Sequence, residues 1–275
     1  MHLAVEHRTT YRYEPEAASL ALRLKIFPAP TPAQRIRSWR VTVNGEPVAP
    51  LLTDGFGDAE GLWFSRRQTE TVEVVAEGTV ETSDRAGVLG KIGVGRPAVF
   101  LRDTDLTAPC EALATLAKKA EGQATDPLAR LHALSESIHA EIAYRPKVTD
   151  AGTTAAQALA LEAGTCQDFT QIFIAAARII GIPSRYVVGY LHDPDAPEME
   201  SHAWAEAHLP SLGWVGFDPT HKICPTDAYI RLCSGLDAAD AAPLRGSLVA
   251  GSKEKLDVTV SVAPVPAGQS QTQQQ

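Results

Sequence analysis

From Leu3 to about Thr82 the chain alternates polar and apolar positions, a period of two that predicts strands. Val5 to Tyr13 alternates and is rich in β-branched and aromatic residues. Leu20, Leu22, Leu24 and Ile26 fall on one side of a second strand, which Pro28, Pro30 and Pro32 bring to an end. Arg37 to Gly45 reads as a strand closing in a turn, Asp54-Gly55-Phe56-Gly57-Asp58 as turn chemistry, and Glu60–Ser65 and Thr69–Val80 as further strands. The expectation is an antiparallel β-sandwich over residues 1–85.

The period then changes. Thr82 to Asp105 is glycine-rich and poorly periodic, a joint or short cover. Helical spacing follows over Pro109–Ala120, with Leu113, Leu116 and Ala117 on one face. Asp126-Pro127 is an N-cap with proline in the first turn, opening a helix that runs to about Ile142. Ala155–Ala163 is a short helix, and Cys166–Ile180 a fourth, closed by Gly181 and Pro183. Strands return at Ser184–Leu191, Ala203–Leu209 and Gly213–Phe217. Helices followed by an antiparallel sheet predict an α+β core over 86–235. Residues 236–275 form a C-terminal extension, with a last strand at Leu256–Val262 and a disordered Gln-rich tail from Gly268.

With 275 residues, 44% hydrophobic and 21% charged, the chain can bury a large core. A net charge of -8 without a dense basic patch gives no support to nucleic-acid binding. No apolar run reaches the ~20 residues of a membrane helix. Met1 to Arg8 lacks a secretory pattern, so the expected compartment is the cytoplasm, with no membrane partner. The four cysteines, Cys110, Cys166, Cys224 and Cys233, are scattered; a Cys224–Cys233 bridge stays open.

Cys166 stands where a loop becomes a helix. A sulfur there feels the positive end of the helix dipole, and the free amides of the first turn can serve an oxyanion. A histidine beside it would hold an imidazolium–thiolate pair, and a carboxylate behind would orient the imidazole. On the strand after Ser201, His202 shares a face with Trp204, Glu206 and His208, directed to a cleft or to solvent, while Ala203, Ala205 and Ala207 can pack on a helix. Asp218 ends the next strand, and a hairpin would bring it to the start of the first.

Each piece alone has a plainer explanation. A buried cysteine in an Ala-rich helix is usually a small core residue, and Asp-Pro-Thr is usually a turn. Their joint occurrence at element boundaries favours chemistry. A zinc site from His208, Asp218, His221 and Cys224 lacks paired-ligand spacing. Asp168 reads as a helix cap, Tyr144 as a packed aromatic rather than a cleft wall, and Gly87, Gly90, Gly93 and Gly95 as a loop with no phosphate-binding frame.

Gly164-Thr165-Cys166-Gln167-Asp168-Phe169, Gly181 to Tyr190, Ser201-His202-Ala203-Trp204 and Gly213 to Thr220 together resemble the bacterial transglutaminase-like proteins. His7 to Tyr13, Leu22-Arg23-Leu24 and Gln34 resemble the β domain that precedes the core in that family. The resemblance implies a papain-like α+β core with Cys166 as nucleophile, His202 as general base and acid, and Asp218 orienting it. It implies a thioester intermediate, no metal and no organic cofactor. Family members include peptidases, amidases and acyl transferases. Hydrolysis of a peptide or isopeptide bond is the favoured expectation, transfer to an amine the second, and a non-catalytic binding module the third. The implied partner is a peptide or protein substrate.

Overall fold

The computed structural model describes residues 1–93, 95–195, 201–248 and 253–265. The tail from Gly268, read above as disordered, lies outside them. The first third is all strand: β1 (His2–Ala17), β2 (Leu20–Phe27), β3 (Gln34–Val43), β4 (Glu46–Pro47), β5 (Leu52–Thr53), β6 (Ala59–Ser65) and β7 (Thr69–Thr82). One antiparallel sheet contains β1, β7, β3 and β4; a second contains β2, β6 and β5. Alternation has its usual cause here. Leu20, Leu22, Leu24 and Ile26 of β2 and Val72, Val74, Ala76 and Val80 of β7 are buried in the same core. Burying a side chain of the Val/Leu/Ile kind contributes roughly 1.5–3 kcal/mol, so a one-residue slip of β2 would be heavily penalised.

The glycine-rich joint contains a short strand, β8 (Val88–Gly90), and two single-turn 3-10 segments. The helices are α1 (Glu111–Gln123), α2 (Pro127–Glu141), α3 (Ala155–Leu161) and α4 (Cys166–Ile179), with a short parallel pair, β9 (Ala143–Tyr144) and β10 (Ala163–Gly164), between them. Asp126 caps α2 by accepting from the Ala129 amide at 3.0 Å. α4 ends at Gly181, whose φ of +78° is the left-handed conformation that glycine adopts without strain. Four more strands follow: β11 (Ser184–Leu191), β12 (His202–Leu209), β13 (Gly213–Phe217) and β14 (Tyr229–Gly235). They form an antiparallel sheet in the order β14-β11-β12-β13-β8, and α4 packs on β11 and β12. The molecule is therefore α+β, antiparallel sheets first and a helical core with its own sheet second.

The chain then goes back to where it started. β15 (Leu244–Leu248) pairs with β2, and β16 (Lys253–Pro264), which includes the expected strand Leu256–Val262, pairs along β1. Neither β14 nor β15 is anticipated by the strand pattern. All seven residues of β14 are buried, so no alternation marks it, and β15 is only five residues long. Among the described residues no helix is long and apolar enough to cross a membrane.

β2 and β7 lie against β14, and charge fills this seam. The fully buried Lys25 ammonium donates to Asp54 Oδ2 at 2.6 Å and to the Ser234 carbonyl at 2.9 Å. Asp58 accepts from Arg231 Nη1 at 3.2 Å and from the Ser234 amide and hydroxyl at 2.6 and 2.9 Å. Glu206, with no exposed surface, takes Arg231 Nε at 2.9 Å and Arg185 Nε at 2.6 Å. The Arg185 guanidinium also lies 4.0 Å from the Trp214 ring centre. Gln34 grips the backbone of Arg231 at both ends, its Nε2 donating to the carbonyl and its Oε1 accepting from the amide, each at 2.8 Å.

Removing one partner of such a seam strands the others. Glu206→Ala, which leaves two buried guanidiniums facing each other, is expected to cost about 3–5 kcal/mol in urea unfolding. A loss below about 1 kcal/mol would show that the seam contributes little.

Candidate active site

α4 begins at Cys166 because the residues before it leave little choice. Thr165, in extended conformation, is its N-cap. Asp168, three residues on, reaches back so that its Oδ2 accepts from the Thr165 amide at 2.7 Å and from the Thr149 hydroxyl at 2.7 Å. A Cβ at Gly164 would stand 2.6 Å from that carboxylate, so the cap requires glycine there. Thr170 donates to the Cys166 carbonyl at 2.7 Å. The motif Gly-Thr-Cys-Gln-Asp thus fixes the cysteine in the first turn of a buried helix. Asp168 is a cap, as its position suggests.

β12 and β13 run antiparallel with Ala205 opposite Phe217. That register puts His202, the first residue of β12, beside Asp218, the residue after β13. His202 Nε2 donates to Asp218 Oδ2 at 2.7 Å, and His202 lines the same cleft as Cys166, near enough for the sulfur to help raise the imidazole's pKa. The three expected residues are therefore brought to one site, Asp218 bonded to His202 and Cys166 sharing the cleft with it. Trp204 stacks on the His202 ring at 6.3 Å between centroids, and Tyr229 meets it edge-on at 5.9 Å. A Cβ at Gly189 would collide with Trp204, so the glycine makes room for the indole. On this face Trp204 and Glu206 are buried against Tyr229, Arg185 and Arg231, and His202 lines the cleft.

Asp218 is fully buried and accepts from five donors. Its Oδ2 takes His202 Nε2, His221 Nδ1 and the Tyr229 hydroxyl, each at 2.7 Å. Its Oδ1 takes the amides of Thr220 at 2.9 Å and His221 at 3.3 Å. Burial alone would raise this carboxyl's pKa; hydrogen bonds and charge from His202 and His221 overcome that and hold it well below the usual range. For His202 the balance is similar. Burial pushes its pKa down, but the hydrogen bonds and charges of Asp218 and Cys166 outweigh it and raise it to about 10.

Cys166 and His202 open onto a cleft of about 500 Å³. Its other walls come from Tyr144, Pro146, Val188 and Asp193, and from Ala238, Ala239, Ala242 and Pro243 on the passage from the core to β15. Tyr144 is 59% exposed on this wall and is not the packed aromatic expected. It ends the two-residue strand β9, paired with Gly164, and both residues of that strand are exposed.

The zinc alternative fares differently. His208 sits edge-on to Trp214 at 5.3 Å, and Cys224 is half-buried beside Gly87. Among the described residues the group close enough to share a metal is His202, Asp218 and His221, within 4.8 Å of one another. Both imidazoles approach the carboxylate oxygen at 2.7 Å, a hydrogen-bond spacing. Ligands ~2.1 Å from a tetrahedral zinc stand roughly 3.4 Å apart. The spacing suits shared protons. All four cysteines are free, so no Cys224–Cys233 bridge forms. Two partners of Asp218 escaped the sequence reading in this role. His221 follows Asp-Pro-Thr directly and carries a weak signal; Tyr229 carries none, because only the β14–β11 pairing brings it there.

A histidine whose folded pKa is raised stabilises the fold fully below its unfolded value of ~6.5 and loses that contribution as pH climbs through the folded value. The stability gap between wild type and His202→Gln should therefore shrink steadily from about pH 6.5 toward 10. Urea titrations at several pH values measure it, and a gap that widens over this range would contradict the assigned charge.

Comparison with known proteins fits this architecture. Residues 3–81 match the bacterial transglutaminase-like N-terminal region, and residues 114–219 match the transglutaminase-like superfamily core. An uncharacterized protein of Mycobacterium tuberculosis is 28% identical over 295 aligned positions, covering 94% of this chain and 92% of its own. One of Mycobacterium leprae is 27% identical, covering 94% and 98%. A crystal structure from Cytophaga hutchinsonii, described as that of a candidate cysteine protease, superposes with a TM-score of 0.74 at 23% identity, over 96% of this chain and 90% of that one. At that identity the likeness speaks for the fold. With its N-terminal region and its core both matched, the chain belongs to the bacterial transglutaminase-like family.

Proposed function

We propose that the protein is a cysteine-dependent amide hydrolase that acts on peptide or isopeptide bonds through a thioester on Cys166. The observation that carries this reading is the position of His202, bonded to Asp218 and lining one open cleft together with Cys166. Cys166 sulfur, as thiolate, attacks the substrate carbonyl carbon, and the amides of the first turn of α4 receive the oxyanion. The carbon–nitrogen bond breaks as His202 gives its proton to the departing amine, leaving a thioester. His202 then takes a proton from water, the hydroxide adds to the thioester carbonyl, and the carbon–sulfur bond breaks to release the acid. Asp218 keeps the imidazole turned with Nε2 toward itself through both halves.

One feature favours the second reading, transfer to an amine. Asp193 is the carboxylate among the described residues lining the cleft, and no lysine or arginine lines it, so a cationic amine would meet a complementary charge there. Mass analysis of a glutamine-containing peptide incubated with the protein and a primary amine separates the two. Glutamate or cleaved peptide is the expected product; predominance of the amine adduct would establish transfer instead.

Two substitutions test the chemistry. Cys166→Ala should abolish turnover, and Asp218→Asn, which keeps shape but removes the charge behind the imidazole, should lower it by about 10²- to 10⁴-fold. In wild type, iodoacetamide should alkylate Cys166 at pH 6, where a free thiol of pKa ~8.5 reacts sluggishly. If alkylation there is slow and indifferent to His202→Ala, the protein is a binding module on an enzyme's fold.

A further inference from the structure

His221 has no part in the steps just described, yet it bonds to Asp218 twice, through its backbone amide at 3.3 Å and its ring Nδ1 at 2.7 Å. We propose that His221 is a positioning residue: its imidazole, together with the Tyr229 hydroxyl, holds the Asp218 carboxylate in the one orientation that leaves Oδ2 facing His202. This inference rests on the triad reading above.

A carboxylate turns readily about its last bond, and an oxygen that drifts out of line cannot hold an imidazole. Backbone amides fix Oδ1, but they act as a hinge and leave Oδ2 free to swing. The two side-chain donors that stop it are His221 and Tyr229, both at 2.7 Å. They do so from different elements: Tyr229 from the start of β14, His221 from the turn that follows β13.

The turn itself does not need the imidazole. It is closed by backbone hydrogen bonds in both directions between Asp218 and Ile223, at 2.8 and 3.3 Å, and Thr220 is tied to α2 through His139 Nδ1 at 3.0 Å. Nor is the ring held there by burial, since the His221 side chain is 43% exposed. What remains is the contact with Asp218. Its ring also lies 5.2 Å from that of His202, close enough that the two imidazoles answer to the same oxygen.

The test is the rate at which iodoacetamide labels Cys166 at pH 6, read by mass spectrometry on the Cys166 peptide, with the thermal midpoint recorded for each variant. His221→Ala should slow labelling about tenfold, the size expected for loss of a hydrogen bond to a charged group, with little change in the midpoint. His221→Asn places an amide nitrogen where Nδ1 stood and should restore most of the rate. If the alanine variant is too unstable to purify, His221→Leu, which keeps bulk and loses the donor, replaces it. Labelling of the alanine or leucine variant at the wild-type rate overturns the proposal while leaving the triad intact, provided His202→Ala is slow. An asparagine variant no faster than alanine, with equal midpoints, overturns it too. Should wild-type Cys166 label no faster than Cys110 and ignore His202→Ala, the triad reading falls and this inference with it.

Discussion

Putting the Asp218 carboxylate out of reach of water carries a desolvation cost of several kcal/mol, and one of the groups that offset it, His202, lines the cleft. Five donors converge on it from β12, β14 and the turn after β13. Because these donors sit on two strands and on the turn after a third, the acid acts as a knot that fixes the strand ends relative to one another. His202 is one of those donors, and it lines the cleft together with Cys166 of the first turn of α4. The charge behind the imidazole and its orientation are consequences of one buried group.

The seam between the sandwich and the core has the same logic on a larger scale. Lys25, Asp58, Glu206, Arg185 and Arg231 are all buried, and each is matched by partners. Directional bonds of this kind give one docking pose, whereas an apolar seam would tolerate sliding. That pose reaches the cleft. The passage from Leu236 to Pro243, whose alanines line one wall, is tied down where Lys25 Nζ and Arg23 Nη2 each donate to the Asp240 carbonyl at 3.4 Å and Arg178 Nη2 donates to the Leu236 carbonyl at 2.6 Å. The sandwich therefore shapes the cleft indirectly, through the segment that leaves the core and supplies β15.

Local signals account for much of what the sequence made legible. Alternation marks β1, β2 and β7, because one face of each is buried; Asp126-Pro127 and Gly181 mark helix ends, because capping and left-handed backbone are decided within a few residues. The meeting of His202 and Asp218 was foreseeable from a hairpin of two short strands. β14 and β15 were not. A strand buried on both sides, with Arg231 and Ser234 among its residues, has no period to read, and its polar groups are accounted for only by Asp58, Gln34 and Glu206, distant in sequence.

The chain by itself marked the capped helix ends, the alternating strands and which residues carry reactive groups, since these depend on neighbours a few positions away. It also placed Cys166 at a helix start and Asp218 at a strand end. Folding in three dimensions decided the rest: that β16 returns to β1, that Tyr229 and His221 share an oxygen with His202, and that Tyr144 faces the cleft. Such facts arise from pairing between segments far apart in sequence, where the energy lies in matched donors, acceptors and charges and leaves no periodic trace in the sequence.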